Sequence, residues 1–501
     1  MDAPRTDGMA APLPLVGWLR SLPWLAVVAL LYALVQLILV LPHTRDGLGW
    51  DETVYVSQSD PRTPAAYFSA PRSRGISFLV APILAVSPSV TLLRTVLALA
   101  SAMALYGAFR VWTPLLGRRT TALAALLFAG LWATMLNGSQ VMPNLWEALA
   151  VVAAVGWFLR APAEPSARWW LAGTIGLAML LRFPDGCWLA LPLLATAICV
   201  RTYRTAAPAV IGGVASGGAQ WAMEAYMRFG GIGERLHLSS ATEGGMGAAH
   251  SFASGVARAL HSLNGPLLCR PCDVPLHAPA LALWWLALPL LTVAALASTA
   301  RRRHRLALSA LPVTCSASLA LPYLFLIDYS APRFFLPAYA LLAPPIATLI
   351  AGTERGSNQR TASLARRPRR SATATAIGLL FLAHLASQVG VLTQTTAQAA
   401  ALSGRYQQAA GILRQFGVRP PCLVSGPHSQ PVGYDLGCAS GDLQGNNHSL
   451  TPNELRQRAA REPTAVLTTS ISTPPPAPAR NWPPHPLRNT GGWIAYVSLP
   501  R

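Results

Sequence analysis

The chain alternates between long apolar runs and short polar segments that carry most of its charge. Many of the apolar runs are about 17–25 residues long, which is the length an α-helix needs to cross a bilayer. They predict an α-helical polytopic membrane protein with about eleven transmembrane helices, at 22–42, 90–112, 120–136, 144–160, 168–182, 187–200, 206–227, 278–299, 306–327, 334–352 and 372–394. A shorter apolar run at 76–88, interrupted by proline, predicts a helix that lies in the membrane interface.

The composition agrees with a membrane protein. Of the 501 residues, 52% are hydrophobic and 12% are charged, whereas about 25% of a soluble globular chain is charged. The formal net charge is +20, and the chain contains no lysine. A basic chain can bind nucleic acid, but most of these arginines lie in short segments between apolar runs. We therefore expect the lipid bilayer as a partner and no nucleic acid.

The distribution of arginine predicts the orientation. With the N-terminus in the cytoplasm, the inside segments through residue 370 hold nineteen arginines, and the outside and boundary positions hold eleven. Positive charge favours the cytoplasmic side, so we predict a cytoplasmic N-terminus and an extracytoplasmic C-terminus. No small-residue cleavage site closes the first apolar run, which we expect to remain as an anchor in the cell membrane.

Residues 396–501 differ from the rest of the chain. Their pattern predicts alternating helices and strands, and hence a small extracytoplasmic α/β domain behind a transmembrane domain at 1–395. The predicted helices are 406–416 and 455–461, and the predicted strands are 421–426, 465–470 and 493–498. Thr451 and Glu454 form a capping-box pattern before the second helix. The prolines at 474–476 and 483–484 predict a loop.

The cysteines leave several interpretations open. Cys269 and Cys272 could form a redox pair, half of a zinc site or a disulfide. Cys422 and Cys438 could pair if the tail faces an oxidising compartment. The histidines of the long polar segment 228–277 lack a metal-binding spacing, so we expect no metal site there.

The strongest candidate for chemistry is the acid pair Asp51 and Glu52, which follows the first apolar run. Carboxylates near a membrane are costly to desolvate and indicate a site paired with basic groups or a metal. A divalent cation near Asp51 and Glu52 is compatible with this pattern. The simpler alternative is a solvated helix start, because acidic residues favour the first turn of a helix.

Basic candidates for the same face are Arg72, Arg74, Arg182 and Arg333. A planar guanidinium suits a phosphate because it can donate two parallel hydrogen bonds. Arg72 and Arg74 could instead contact lipid headgroups, Arg182 could pair with Asp185, and Arg333 could pair with Asp328. Glu147, inside a predicted helix, could be a second acid or a buried polar contact.

Together these motifs resemble the GT-C superfamily, in particular the bacterial branch of dolichyl-phosphate-mannose-protein mannosyltransferases and aminoarabinose transferases. The matching features are the acid pair with Tyr55 one turn later, the basic segment Pro71–Arg74, Arg182 at the end of a glycine-rich helix, and the Arg-Phe-Phe-Leu-Pro sequence starting at Arg333. The resemblance covers most of residues 20–395. Relatives often carry an acid at the start of the fourth helix, whereas here the nearest acid is Glu147, one turn further in.

The resemblance implies a glycosyltransferase that moves a sugar from a polyprenyl-phosphate-linked donor to an unknown acceptor at the outer membrane face. Asp51 would be the general base, assisted by Glu52, and the four arginines would bind the donor phosphate. Two alternatives remain open: a non-catalytic GT-C-like protein that binds a lipid-linked sugar, and a transporter. No half of the chain repeats the other, which argues against the transporter.

Overall fold

The computed structural model describes residues 23–247, 251–300, 306–358, 367–445, 447–470 and 472–500. The predicted N-terminal tail with Arg5 and Arg20, the basic segment 301–305 and residues 359–366 of the basic loop at 354–370 lie outside these residues. The sidedness inferred from those arginines stays a prediction.

Most of the described residues before Leu423 lie in helices. The first apolar run forms α1 (Trp24–Val35), which continues through a π-helical turn (Gln36–Val40) into α2 (Leu41–Thr44). The helices that follow are α3 (Trp50–Val56), α4 (Gly75–Val86), α5 (Val90–Arg110), α6 (Thr113–Leu116), α7 (Arg118–Ala129), α8 (Trp132–Asn137), α9 (Pro143–Arg160), α10 (Ala167–Leu181), α11 (Phe183–Cys199), α12 (Ala207–Arg228), α13 (Ile232–Thr242), α14 (Phe252–His261), α15 (Leu283–Ala300), α16 (Ala307–Phe325), α17 (Leu336–Asn358) and α18 (Arg367–Gln415).

Among the described residues, five helical stretches are long and apolar enough to cross a membrane by length and composition. They are Trp24–Thr44, Val90–Arg110, Leu283–Ala300, Ala307–Phe325 and Pro332–Ala351. Shorter apolar helices are Gly75–Val86, Ala167–Leu181 and Phe183–Cys199. The predicted membrane-protein class is confirmed, while the number of eleven transmembrane helices stays a prediction.

Two predicted segments differ in the structure. The predicted helix 120–136 is broken into α7 and α8, because the Trp132 amide donates to Gln388 Oε1 at 3.0 Å instead of continuing the helix. The predicted loop 228–277 contains two helices, α13 and α14. The Ser251 hydroxyl caps α14 by accepting a hydrogen bond from the Ser254 amide at 3.2 Å, a local signal that the sequence prediction missed.

The core of the helical region is built around α9. Residues from Pro143 to Gly156 are all buried, and most of them are small or β-branched. Small residues also allow α10 and α12 to pack closely, since a Cβ at Gly217 would collide with the carbonyl oxygen of Gly176. Glu147 of α9 is fully buried inside this tightly packed bundle.

The tail forms the predicted α/β domain. Helix α18 runs without interruption through residue 395, so the proposed domain boundary falls inside a helix. The other elements are α19 (Ser429–Leu436), α20 (Pro452–Ala459), β1 (Leu423–Ser425), β2 (Ala439–Gly441), β3 (Thr464–Thr468), β4 (Pro484–Pro486) and β5 (Ile494–Ser498). The sheet order is β2-β1-β3-β5-β4. Strand β1 pairs in parallel with β2 and β3, whereas β5 is antiparallel to β3 and β4.

The tail contains the predicted capping box and a strand where a loop was predicted. The capping box is present, because the Thr451 hydroxyl accepts from the Glu454 amide and Glu454 accepts from the Thr451 amide at 2.7 Å. Pro484 was predicted to lie in a loop and instead begins the edge strand β4. An edge strand tolerates proline because its missing amide faces away from the sheet.

Two disulfides join the cysteine pairs that the sequence singled out. Cys269 is bonded to Cys272, and Cys422 is bonded to Cys438. The other three, Cys187, Cys199 and Cys315, are free thiols.

Candidate functional site

Asp51 lies in the first turn of α3, where it holds two arginines from distant parts of the chain. Its Oδ1 accepts a hydrogen bond from Arg72 Nη2 at 2.7 Å, and its Oδ2 accepts one from Arg333 Nη2 at 2.8 Å. Arg72 precedes α4, and Arg333 lies in a 3₁₀ turn (Pro332–Phe335) before α17. The fold therefore brings together three of the predicted site residues, two of which are 282 positions apart.

Aromatic side chains of α3 hold one of these arginines in place. The Arg72 guanidinium carbon lies 5.1 Å from the ring centroid of Tyr55 and 5.7 Å from that of Trp50. Tyr55 is one helical turn after Asp51 and therefore lies on the same side of α3. The short helix supplies both the carboxylate and the surface that orients its partner.

The arginines determine the charge state of Asp51. Burial alone would raise the pKa of this carboxyl, but the positive charges of Arg72 and Arg333 outweigh burial and hold the pKa below its ordinary value. The more distant charge of Arg182 acts in the same direction. Asp51 is consequently an ionised carboxylate at neutral pH, and 28% of its side chain is exposed.

Glu52 has a different set of partners. It forms a buried ion pair with Arg94, whose Nη2 donates to Glu52 Oε2 at 2.8 Å. The backbone amide of Gly49 donates to Oε2 at 2.7 Å, and that of Val141 donates to Oε1 at 2.8 Å. Both carboxylate oxygens of Glu52 thus accept hydrogen bonds from groups other than Arg72 and Arg333. The structure does not bring Glu52 into the Asp51 cluster.

Arg74 also lies in a separate cluster. Its Nε donates to Glu224 Oε1 at 2.7 Å, and its Nη1 donates to Gln58 Oε1 at 2.9 Å. Glu224 in addition accepts from the fully buried Arg235 at 3.2 Å. These bonds tie the segment before α4 to the end of α12, and they leave Arg74 with no contact to Asp51.

Arg182 belongs to a buried group that includes Glu147. Its Nε donates to Asp185 Oδ2 at 2.8 Å, and its Nη2 donates to the Tyr323 hydroxyl at 2.5 Å. Tyr323 in turn donates to Asp185 Oδ2 at 2.5 Å. Glu147 Oε2 lies 3.5 Å from Arg182 Nε, and within the described part of the chain its oxygens accept no hydrogen bond. The pairing of Arg182 with Asp185 matches the local alternative considered from the sequence.

Several residues of the site were not identified from the sequence. Arg94 carried a signal, because a charged residue inside an apolar run is costly and normally has a buried partner. Tyr323 and Glu224 carried none, since each acts through partners that are distant along the chain. Glu243, at the end of α13, accepts a hydrogen bond from the Tyr329 hydroxyl. Burial raises the pKa of Glu243, and the nearby charges of Arg182 and Arg72 partly oppose this rise.

The residues do not fit a divalent cation at the acid pair. Asp51 is bonded to two guanidinium groups, and Glu52 is directed to Arg94. In the part of the chain that the structure describes, no group of three or more His, Cys, Asp or Glu side chains is arranged to hold a metal ion.

No protein-family model and no curated protein sequence matches the chain. Solved structures do match. ArnT from Cupriavidus metallidurans bound to undecaprenyl phosphate has 13% identity and a TM-score of 0.60, with 97% of this chain and 98% of that chain covered. The same protein in the apo state has 12% identity, a TM-score of 0.61 and the same coverage.

The oligosaccharyltransferase of Archaeoglobus fulgidus in the apo form also matches, with 12% identity and a TM-score of 0.52. The match covers 90% of this chain and 70% of that chain. Both neighbours belong to the GT-C superfamily of membrane glycosyltransferases. The chain therefore has the GT-C fold, and the structural match covers both its helical region and its C-terminal α/β domain.

Proposed function

We propose that the chain transfers a sugar from a polyprenyl-phosphate-linked donor to an acceptor at the outer face of the cytoplasmic membrane. The observation that carries this proposal is the convergence of Asp51 with Arg72 and Arg333, with the charge of Arg182 close enough to act on Asp51. An ionised carboxylate beside several guanidinium groups combines a base with phosphate ligands. The fold supports the same conclusion, since ArnT has been solved with undecaprenyl phosphate bound.

In the proposed reaction, an acceptor hydroxyl attacks the anomeric carbon of the donor sugar. The bond between that carbon and the phosphate oxygen breaks, and the phosphate keeps the electron pair. Asp51 takes the proton of the hydroxyl. Arg72 and Arg333 stabilise the negative charge that develops on the leaving polyprenyl phosphate.

The arginines have to change partners for this reaction to occur. In the structure, both are bonded to Asp51 and lower its pKa, which makes it a weak base. A phosphate is a strong acceptor of bidentate guanidinium bonds. Binding of the donor would draw Arg72 and Arg333 towards the phosphate, and the pKa of Asp51 would rise as they leave. Donor binding would thereby activate the base.

The ion pairs of Asp51 also support a second candidate, a non-catalytic protein that binds a lipid-linked sugar. In that case Asp51 would only position the two arginines. The two functions differ in whether a sugar leaves the carrier.

Sugar transfer in membranes tests the proposal. Membranes that contain the wild-type chain or Asp51→Asn are incubated with a radiolabelled polyprenyl-phosphate sugar, and label in the acceptor fraction is followed. Loss of a general base costs about 10²–10⁴-fold in rate, so we expect transfer by Asp51→Asn to fall by at least about 100-fold. Asp46→Asn is the matched control, because Asp46 precedes α3 and is 71% exposed. Equal transfer by wild type and Asp51→Asn would remove Asp51 from the mechanism, whereas no transfer above background by the wild-type chain would favour the non-catalytic alternative.

A further inference from the structure

A cavity of about 780 Å³ lies at the end of the helix bundle opposite to Asp51. It is formed by the first residues of α1 and α10 and the last residues of α5 and α9. The opposite ends of α5 and α9 lie at the Asp51 site, where Arg94 and Val141 contact Glu52. A helix of about 20 residues is about 30 Å long, so this inner cavity is separate from the proposed sugar-transfer site.

The walls of the inner cavity are apolar and aromatic. Trp24, Leu25 and Trp157 line it, and Trp170 stacks on Trp157 with ring centroids 6.0 Å apart. Trp170 is 61% exposed, and the adjacent Trp169 is 83% exposed. Tryptophan is enriched where a membrane protein crosses the headgroup region, which places the mouth of the cavity at that level.

The cavity also contains unbalanced positive charge. Arg110, Arg118 and Arg160 line it, together with no acidic residue. Arg160 is neutralised by Glu164, which accepts from Arg160 Nη2 at 2.5 Å. The guanidinium carbon of Arg110 lies 5.9 Å from the ring centroid of Tyr106. Among the residues that the structure describes, no carboxylate pairs with Arg110 or Arg118.

This combination fits an amphiphilic anion. Two unpaired guanidinium groups provide ligands for a phosphate, and the adjoining apolar wall provides a surface for an acyl chain. A free phosphate would use the arginines and leave the apolar wall in water. The segment before Pro23 contains two arginines and two aspartates, and so it has no net negative charge to offer the cavity.

We propose that the inner cavity binds an anionic phospholipid of the leaflet that faces the cytoplasm. The lipid phosphate contacts Arg110 and Arg118, and an acyl chain packs against Trp24 and Leu25. Basic pockets between transmembrane helices on the cytoplasmic side are suited to anionic headgroups. This assignment does not depend on sugar transfer, because it uses different residues at the other end of the bundle.

Native mass spectrometry of the full-length protein in detergent tests the assignment. The protein is equilibrated with equal amounts of phosphatidylglycerol and phosphatidylcholine, and separately with glycerol phosphate, which has the headgroup without acyl chains. We expect preferential retention of phosphatidylglycerol and no retention of glycerol phosphate. The double variant Arg110→Gln/Arg118→Gln should reduce retention by about 25-fold, or about fivefold for each arginine near an anionic surface. Arg119→Gln is the control, since Arg119 is an exposed neighbour that does not line the cavity.

A second pair of variants tests the apolar part without changing any charge. A Cβ at Gly107, which lines the cavity, meets no atom within 4 Å. Gly107→Phe should therefore fill the cavity and lower phosphatidylglycerol retention while the arginines remain. Gly212→Phe is the control, because Gly212 is equally open and lies on α12, away from the cavity. Unchanged retention in both Gly107→Phe and the double arginine variant would overturn the proposal, as would binding of glycerol phosphate as tight as that of the lipid.

Discussion

At the scale of single residues, the central feature is that Asp51 shares its charge with two guanidinium groups. A carboxylate in this position is stabilised in its ionised form, and its pKa depends on both partners. In the proposed reaction the same partners are the ligands of the donor phosphate. The basicity of Asp51 is thus coupled to donor binding through Arg72 and Arg333.

The coupling predicts how pH dependence changes in Arg333→Gln. Burial raises the pKa of Asp51, and the positive charge of Arg333 opposes this effect. Removal of that charge should therefore raise the pKa of Asp51. A base acts in its ionised form, and transfer by Arg333→Gln should decline at a higher pH than wild-type transfer. The measurement is kcat/KM between about pH 3 and 8, a range that begins below the ordinary aspartate pKa of about 3.9. Arg45→Gln, which removes an exposed arginine that pairs with Asp46, should leave the profile unchanged. An identical acid limb in wild type and Arg333→Gln would contradict the coupling.

At the scale of elements, α3 is held in position by the residue next to Asp51. Glu52 accepts hydrogen bonds from the turn before α3, from Arg94 of α5 and from the segment before α9. Arg94 also donates to the carbonyl oxygen of Gly47 at 2.6 Å. Adjacent residues of a helix point in different directions, so Glu52 anchors α3 while Asp51 faces the arginines. The two acids predicted to act together therefore have separate roles.

This anchoring predicts a large loss of stability in Glu52→Gln. Removal of one charge from a buried ion pair leaves the other uncompensated and typically costs about 3–5 kcal/mol. Glu462→Gln is the control, since it disrupts the partly exposed pair with Arg458 and should cost less than about 1 kcal/mol. Unfolding of both variants in detergent gives the comparison. Equal stabilities for the two variants would show that Glu52 does not anchor α3.

At the scale of the whole molecule, the α/β domain is joined to the helical region close to α3. The Tyr434 hydroxyl of α19 donates to Asp60 Oδ2 at 2.5 Å, and Arg62 Nη2 donates to Tyr434 at 3.2 Å. Burial raises the pKa of Tyr406 in α18, and the negative charge of Asp51 adds to this rise. The C-terminal domain thus contacts the segment that follows α3, beside the candidate site.

The sequence predicted the helices and strands better than it predicted which side chains pair. Helices and strands follow local periodicity, which is why the short apolar helix α4, the capping box and most strands could be placed from the pattern alone. Side-chain pairing depends on packing between distant segments. Asp328 was considered as a local partner for Arg333, yet it pairs with Arg270, at 3.1 Å. No local pattern distinguishes that outcome from the pairing of Arg333 with Asp51.

The measurement that tests the central claim most directly separates donor binding from sugar transfer in Asp51→Asn. The purified protein is reconstituted in liposomes, and the donor Kd and the single-turnover transfer rate are measured for wild type and variant. Because the variant frees Arg72 and Arg333 for the phosphate, we predict donor binding at least as tight as in wild type, with transfer slower by at least about 100-fold. Two results would contradict the assignment of Asp51 as the base. One is transfer by Asp51→Asn at the wild-type rate, and the other is a weakening of donor binding that accounts for all of the lost transfer.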